Sequence, residues 1–262
     1  MGQSRSYQVN KKNVRIVLIG AGNVATHLGA ALMKSGHEVL QVFSRTGESA
    51  ATLADVLQCE AVTDLTSLRR DAEVYILSVS DSVLERVAKA LPRTDALYLH
   101  TAGSMPVDVL PMSRRGVLYP MQTFSKSRAL DFRQVPLLIE SPSDESLLRS
   151  LAESLSDNVH IMTSEQRKKL HLAAVFACNF VNHMYDLSAQ LLSEAEIPFD
   201  VLLPLIDETA RKVHILSPHE AQTGPAVRGD RNVMNMHENL LSGDTLKQQI
   251  YRLISQSISK SS

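Results

Sequence analysis

The sequence predicts an α/β fold: a doubly wound parallel sheet at the N-terminus followed by an all-α C-terminal domain. Short β-branched runs alternate with helical stretches as far as Met162. A glycine-rich turn joins the first run to the first helical stretch, and from Thr163 onward the apolar pattern is helical throughout. The expected domains are residues 13–162 and 163–262, with no low-complexity linker or internal repeat.

Residues 14–19 (VRIVLI) have the character of a central strand buried on both faces. The run ends at Gly20, and Val24, Leu28, Ala31 and Leu32 then recur at helical spacing until Ser35-Gly36 supplies a stop. Residues 37–43 (HEVLQVF) give a second strand, completing a βαβ unit whose handedness makes the strands parallel. A helix is expected over 49–57, a weak strand at 61–62, a strand at 73–79, a helix at 83–91, and strands at 96–100, 116–119 and 135–140. Pro136 cannot donate to a ladder, which suits an edge strand or a strand's first residue. Thr163 followed by Gln166 reads as a capping box, and neither Gly nor Pro interrupts residues 164–192, so one helix of about 40 Å is expected. It is apolar nearly all round between Leu170 and Val181, which predicts burial against other helices. Residues 200–216 and 244–258 read as further helices.

Composition narrows function by exclusion. The 262 residues are 44% hydrophobic and 21% charged, unlike disordered, collagenous or coiled-coil chains. Lys and Arg number 27 against 28 Asp and Glu, a net charge of −1, so no broad field recruits nucleic acid or an anionic membrane. Cys59 and Cys178 lie far apart and in no C-x-x-C pair; both read as buried or incidental thiols, and no metal is expected. Residues Met1–Lys12 are polar, which argues against a signal peptide, and no apolar stretch reaches the roughly 20 residues of a membrane span. The cytoplasm is the expected compartment.

Gly20-Ala21-Gly22-Asn23-Val24-Ala25 fits G-x-G-x-x-A, with a glycine for the tight turn, a second for close approach of a pyrophosphate, and a small third residue for helix–strand packing. It follows a predicted strand and opens a predicted helix, the context in which this short pattern marks a dinucleotide site. After the second strand stands Ser44-Arg45-Thr46, where an NAD site usually offers a carboxylate to the ribose. A guanidinium flanked by two hydroxyls suits a 2′-phosphate instead, so NADP is the expected cofactor. The loops after later strands, Ser78-Val79-Ser80-Asp81 and His100-Thr101-Ala102-Gly103-Ser104, are small and polar, and Ser78, Val79, Ser80, Thr101 and Gly103 are expected beside the nicotinamide. His100 reads either as an acid–base group or as a structural hydrogen-bonder.

On the long helix, His171, Val175, Cys178, Asn179 and Asn182 fall on one stripe at spacings of three and four. Amides in so apolar a segment must bond to something, either across helices or in a cleft between the domains. In the loop Gln222 to Asp230, Arg228 and Asp230 flank Gly229, and Arg228 either pairs with Asp230 or meets a polar ligand.

Gly20-Ala21-Gly22-Asn23-Val24-Ala25, Ser44-Arg45-Thr46, Tyr119-Pro120-Met121-Gln122-Thr123-Phe124, His171-Leu172-Ala173-Ala174-Val175-Phe176-Ala177-Cys178-Asn179-Phe180 and Thr223-Gly224-Pro225-Ala226-Val227-Arg228-Gly229-Asp230 resemble the corresponding segments of bacterial proteins that join a Rossmann-like domain to a C-terminal DUF2520 domain. The resemblance runs from about Asn13 over nearly the whole chain. It implies an NADP oxidoreductase related to pyrroline-5-carboxylate reductases, coenzyme F420-dependent NADP reductases and β-hydroxyacid dehydrogenases, and a homodimer formed through the helical domain. β-Hydroxyacid dehydrogenases carry a catalytic Lys at the start of the long helix and an Asn about a turn later; here Lys168 and Lys169 stand near that start, but Leu172 and Ala173 occupy the later positions. The expected activity is hydride transfer between NADP(H) and a small carbonyl, imine or alcohol held between the domains. His171 is then the proton donor or polariser, Asn179 the orienting amide and Arg228 the anion clamp. The alternative is a non-catalytic NADP-binding sensor or scaffold that dimerises through its helical domain.

Overall fold

The computed structural model describes residues 13–261, so the reading of Met1–Lys12 lies outside the described residues. Strand β1 (Arg15–Ile19) leads through the glycine turn into helix α1 (Asn23–Lys34), then β2 (Glu38–Phe43), α2 (Gly47–Leu57) and β3 (Glu60–Val62). β4 (Val74–Leu77), α3 (Asp81–Ala90), β5 (Leu97–His100) and β6 (Arg115–Pro120) follow, and β7 (Leu137–Glu140), α4 (Glu145–Leu155) and β8 (Val159–Ile161) complete the sheet. The strand order is β3-β2-β1-β4-β5-β6-β7-β8, parallel at every pairing except β6 with β7.

β4 and β5 bury every residue, as continuous apolar runs in a parallel sheet must. Alternation along β1 sends Ile16 and Leu18 into one core with α1, α2 and α4, and Val17 and Ile19 into a second core with α3. β4 stops at Leu77, short of the expected end, which releases Ser78 and Val79 into the loop. Pro136 directly precedes β7, which lies inside the sheet, with β8 as its outer neighbour. The missing Pro136 N–H therefore costs no ladder bond, while its carbonyl accepts from the Met121 N–H at 2.9 Å.

Packing divides the chain between Cys178 and Asn179, beyond the change of character at Thr163. Helix α5 (Ser164–Ala174) opens with the expected Thr163–Gln166 capping box and belongs to the first unit, because Ser164 and Arg167 stitch it to β7. A π-helical segment, Val175–Phe180, and α6 (Val181–Glu194) follow directly, so the expected single helix is interrupted. The second unit continues with a 3-10 turn at Phe199–Leu202, α7 (Leu203–Lys212), the one-turn α8 (Pro225–Arg228), α9 (Arg231–Leu240) and α10 (Thr245–Ser261).

The expected burial of residues 170–181 is not met within this chain: Leu172, Phe176 and Phe180 are 59%, 62% and 48% exposed. Asn179 and Asn182 are exposed as well, which lifts the requirement for buried amide partners. Cys59 is half-buried, and burial and then Glu60 push its thiol up to about 11; Cys178 is exposed, not buried. Among the described residues no helix is long and apolar enough to cross a membrane, and no group of three or more His, Cys, Asp or Glu is placed to hold a metal.

Candidate functional site

The sheet order reverses between β1 and β4, the crevice where an open α/β sheet accepts ligands at the carboxyl ends of its strands. Gly20 ends β1 with φ 117°, and a Cβ there would overlap the Ser78 carbonyl oxygen, so only glycine lets the two strand ends close together. Its N–H donates to the Phe43 carbonyl at 2.8 Å. Ala21 and Ala25 are buried, the latter completely, which brings α1 close to the sheet. Gly22 precedes α1 with no capping side chain, and the space beside its Cα is open. The first N–H groups of α1, with the positive end of its dipole, thus meet a gap that a pyrophosphate fits. Val24 is half-buried, whereas the Asn23 amide is already engaged: Nδ2 donates to the Phe124 carbonyl at 3.0 Å and ties α1 to the loop after β6.

Arg45 at the end of β2 is exposed and makes no hydrogen bond or ion pair among the described residues. Ser44 Oγ and Thr46 Oγ1 stand 3.4 Å apart beside it, and Thr46 precedes α2 without capping it. A free cation, two hydroxyls and an uncapped helix end give a 2′-phosphate several donors at once.

From this turn a row of contacts runs along the strand ends. Gly20 touches the Ser78 backbone; Thr101 Oγ1 donates to Ser78 Oγ at 3.3 Å; and a Cβ on Gly103 would stand 2.6 Å from His171 Nδ1 and 2.9 Å from Tyr119 Cζ. Tyr119 Oη and His171 Nδ1 are hydrogen-bonded at 3.0 Å. β6 runs on to Pro120 past the Val117–His100 pair, so Tyr119 overhangs the loop where β5 ends. Val79 is half-buried next to Ser78, and Ser80 Oγ pairs with Ser82 Oγ at 3.2 Å as α3 begins, where Asp81 accepts a bond from Ser104 Oγ. Of the predicted residues, Gly20, Ser78 and Thr101 are therefore linked by direct contact, as are Gly103 and His171, with Gly103 two residues beyond Thr101 in the same loop.

His100 does not reach the row's open side. It is completely buried, its Nδ1 accepts from the Ala102 N–H at 3.2 Å, and Nε2 has no partner. Burial, followed by the Arg167 charge, pushes its pKa down to about 4, so it is neutral at physiological pH. Lys168 is paired with Glu165 at 2.9 Å on the helix surface, and Lys169 is exposed. In the second unit, Asn179 is exposed in the π segment, where the spacing of three and four no longer holds a single stripe. Arg228 is exposed and makes no hydrogen bond or ion pair among the described residues. The anticipated pair with Asp230 is absent, because Asp230 Oδ1 instead caps α9 by accepting from the Val233 N–H at 3.2 Å.

Sequence reasoning missed two residues. Tyr119 lay inside a segment that carried the family resemblance, but nothing local marked its hydroxyl as the partner of a helix residue far along the chain. Arg167 is fully buried, with Nη1 2.5 Å from Glu140 Oε2 and Nη2 2.5 Å from the Met105 carbonyl; its Nε has no partner. An Arg in the first turn of a helix carries no signal that it will be buried.

Comparison with known proteins agrees with this geometry. Residues 15–100 match the family model described as NADP oxidoreductase coenzyme F420-dependent, and residues 135–258 match the domain of unknown function DUF2520. A Bacteroides fragilis protein of solved structure, provisionally described as an NADP oxidoreductase, is 50% identical with a TM-score of 0.88, covering 95% of this chain and 98% of that one. A Thermotoga maritima protein is 23% identical (TM-score 0.70, 94% and 97% covered), and pyrroline-5-carboxylate reductase from Streptococcus pyogenes is 15% identical (TM-score 0.65, 95% and 99% covered); both share the fold. Among curated proteins none matches. With half its residues identical to the Bacteroides protein over nearly the full length of both, the chain belongs to the family of NADP oxidoreductases that join an F420-dependent-type N-terminal domain to DUF2520.

Proposed function

We propose that the protein is an NADP-dependent oxidoreductase acting on a small molecule. The pyrophosphate rests on Gly20, Ala21, Gly22, Asn23 and Val24, the 2′-phosphate on Ser44, Arg45 and Thr46, and the nicotinamide lies beside Ser78, Val79, Ser80, Thr101 and Gly103. When bound, NADP(H) supplies or accepts a hydride. The observation that carries this reading is the pairing of the Gly20–Ser78 closure and uncapped α1 with an unpartnered Arg45, donors with no acceptor in the described chain. On the substrate side His171 is the titratable group, and Asn179 and Arg228, whose side chains make no bond among the described residues, are the orienting amide and the anion clamp. Leu246 and Leu253, 66% and 67% exposed, favour a homodimer in which a second chain covers them. The cytoplasm, reducing and rich in NADPH-consuming chemistry, is its proposed compartment. A sensor without catalysis is less favoured, because a hydrogen-bonded Tyr–His pair at the strand ends gives the site proton chemistry that a sensor does not need.

Thermal shift tests the reading. NADPH is expected to raise Tm more than NADH. Arg45→Ala should remove that preference by weakening NADPH at least about 10-fold, since charge-assisted bonds to a phosphate are lost, while leaving NADH unchanged. Stabilisation by neither nucleotide contradicts the assignment.

A further inference from the structure

Resting on that oxidoreductase reading, we infer that Tyr119 is the proton-transferring catalytic residue, that His171 backs it as a positioning and relay residue, and that the substrate is a carbonyl compound or its alcohol rather than an imine. The warrant is geometric. Tyr119 overhangs the end of β5, next to the loop that holds Thr101 and Gly103, and Gly103 lacks the side chain that would collide with both rings. His171 meets the phenol through Nδ1 at 3.0 Å, with the rings edge to face at 76°, and is itself half-buried. Its Nδ1 is therefore occupied by Tyr119, leaving the phenolic oxygen as the group presented along the row of strand ends.

α5 holds this pair in place. Arg167, one turn before His171, is locked to Glu140 and the Met105 carbonyl, while Ser164 Oγ accepts from the Val107 N–H at 3.0 Å. The charged groups that act on Tyr119 are Arg167, from the same helix as His171, and Asp81 from the start of α3; His100 from β5 is neutral. Burial raises the Tyr119 pKa and Arg167 opposes the rise, so the phenol is held protonated.

The chemistry of the donor selects the substrate. A carbonyl that gains a hydride at carbon becomes an alkoxide, which needs a proton at its oxygen. An imine that binds already protonated, as the iminium, leaves a neutral amine and draws no proton in the hydride step, whereas a carbonyl always needs one at its oxygen. In the reducing direction the C=O electron pair moves to oxygen as the carbon gains the hydride of NADPH. That oxygen takes the proton of Tyr119 Oη, and Oη takes the Nδ1 proton of the His171 imidazolium. The imidazole left behind still carries its Nε2 proton, so the vacant Nδ1 is the site that regains a proton from solvent once the alcohol has left. The net change is carbonyl, NADPH and one proton to alcohol and NADP. In the oxidising direction each proton moves the other way, so neutral His171 is the active form.

The test has two independent readouts. First, the ring-nitrogen shifts of His171 are followed by NMR in cofactor-free protein carrying isotope-labelled histidine, for wild type and Tyr119→Phe. Loss of the phenol's hydrogen bond is expected to move the Nδ1 shift, and an unmoved Nδ1 shift overturns the dyad. Second, NADPH oxidation is measured with short-chain and cyclic aldehydes and ketones and with the matching imines. Carbonyls are expected to turn over, Tyr119→Phe to lower kcat roughly 100-fold or more while retaining NADPH stabilisation, and His171→Asn to flatten a pH limb that falls for reduction and rises for oxidation. Reduction of imines alone, or of no carbonyl by a protein that NADPH stabilises, overturns the substrate class. Absence of NADPH stabilisation refutes the oxidoreductase reading instead, and the NMR result still decides the dyad.

Discussion

Arg167 Nη1 lies 2.5 Å from Glu140 Oε2, and the Arg167 side chain has no exposed surface while that of Glu140 is 20% exposed. Removing one partner of such a pair leaves the other desolvated and alone. Arg167→Met should therefore lower the unfolding free energy by about 3 kcal/mol, and Arg167→Met combined with Glu140→Leu should recover much of the loss. Urea denaturation measures both. A single variant within about 1 kcal/mol of wild type would show that the pair contributes little.

Gly20 and Gly22 are expected to separate folding from cofactor binding. Gly20→Ala places a Cβ against the Ser78 carbonyl at positive φ and should lower Tm as well as abolish the NADPH shift. Gly22 has φ −82° and open space around it, so Gly22→Ala should keep its Tm yet lose most of the NADPH shift by filling the phosphate gap. Equal behaviour of the two variants in both measurements contradicts this division.

His100 gives a pH dependence of definite sign. Its folded pKa is pushed down to about 4 from an ordinary 6.5, so between those values the unfolded chain binds more protons and stability rises with pH. The contribution is fully present above about pH 6.5 and is lost as pH falls towards 4. It amounts to about 3 kcal/mol. His100→Asn should lack that slope while sharing every other titration, which urea unfolding between pH 7.5 and 4.5 resolves; parallel curves for the two proteins would remove His100 as the cause.

Much of the first unit was legible because its strands are long enough to alternate or run apolar and its turn glycines have no substitute. α4 and β8 were not. β8 spans three residues, two of them exposed, which is too short for a period to show. Of the candidate site, Gly20 to Val24 and Ser44 to Thr46 could be singled out in order along the chain, since the chemistry that proposes them is local. Tyr119 with His171 and Arg167 with Glu140 are products of tertiary pairing, and neither partner announces the other. The π segment was hidden for a different reason: VFACNF holds neither Gly nor Pro, so nothing in it breaks the helix that its neighbours form on either side.

Self-association should follow from the uncovered apolar side chains of the second unit. Leu246 and Leu253 lie two turns apart on one face of α10, 66% and 67% exposed. Sedimentation is expected to report a dimer at micromolar concentration, and Leu246→Lys with Leu253→Lys a monomer. A monomeric wild type contradicts the expectation.

The reversal of β7 against β6 sets Leu137 opposite Pro120, so the stretch joining them leaves and rejoins the sheet at one rim, the rim where α1 begins. There it grips α1 twice, through Asn23 Nδ2 on the Phe124 carbonyl at 3.0 Å and His27 Nε2 with the Ser125 carbonyl at 2.9 Å. A parallel β7 would carry that stretch away to the opposite end of the sheet. The one antiparallel pairing thus places a surface loop as a second wall beside the Gly20–Gly22 turn. With a nucleotide seated on that turn as proposed, its residence time is expected to be tunable by loop length without disturbing the strands that make the fold.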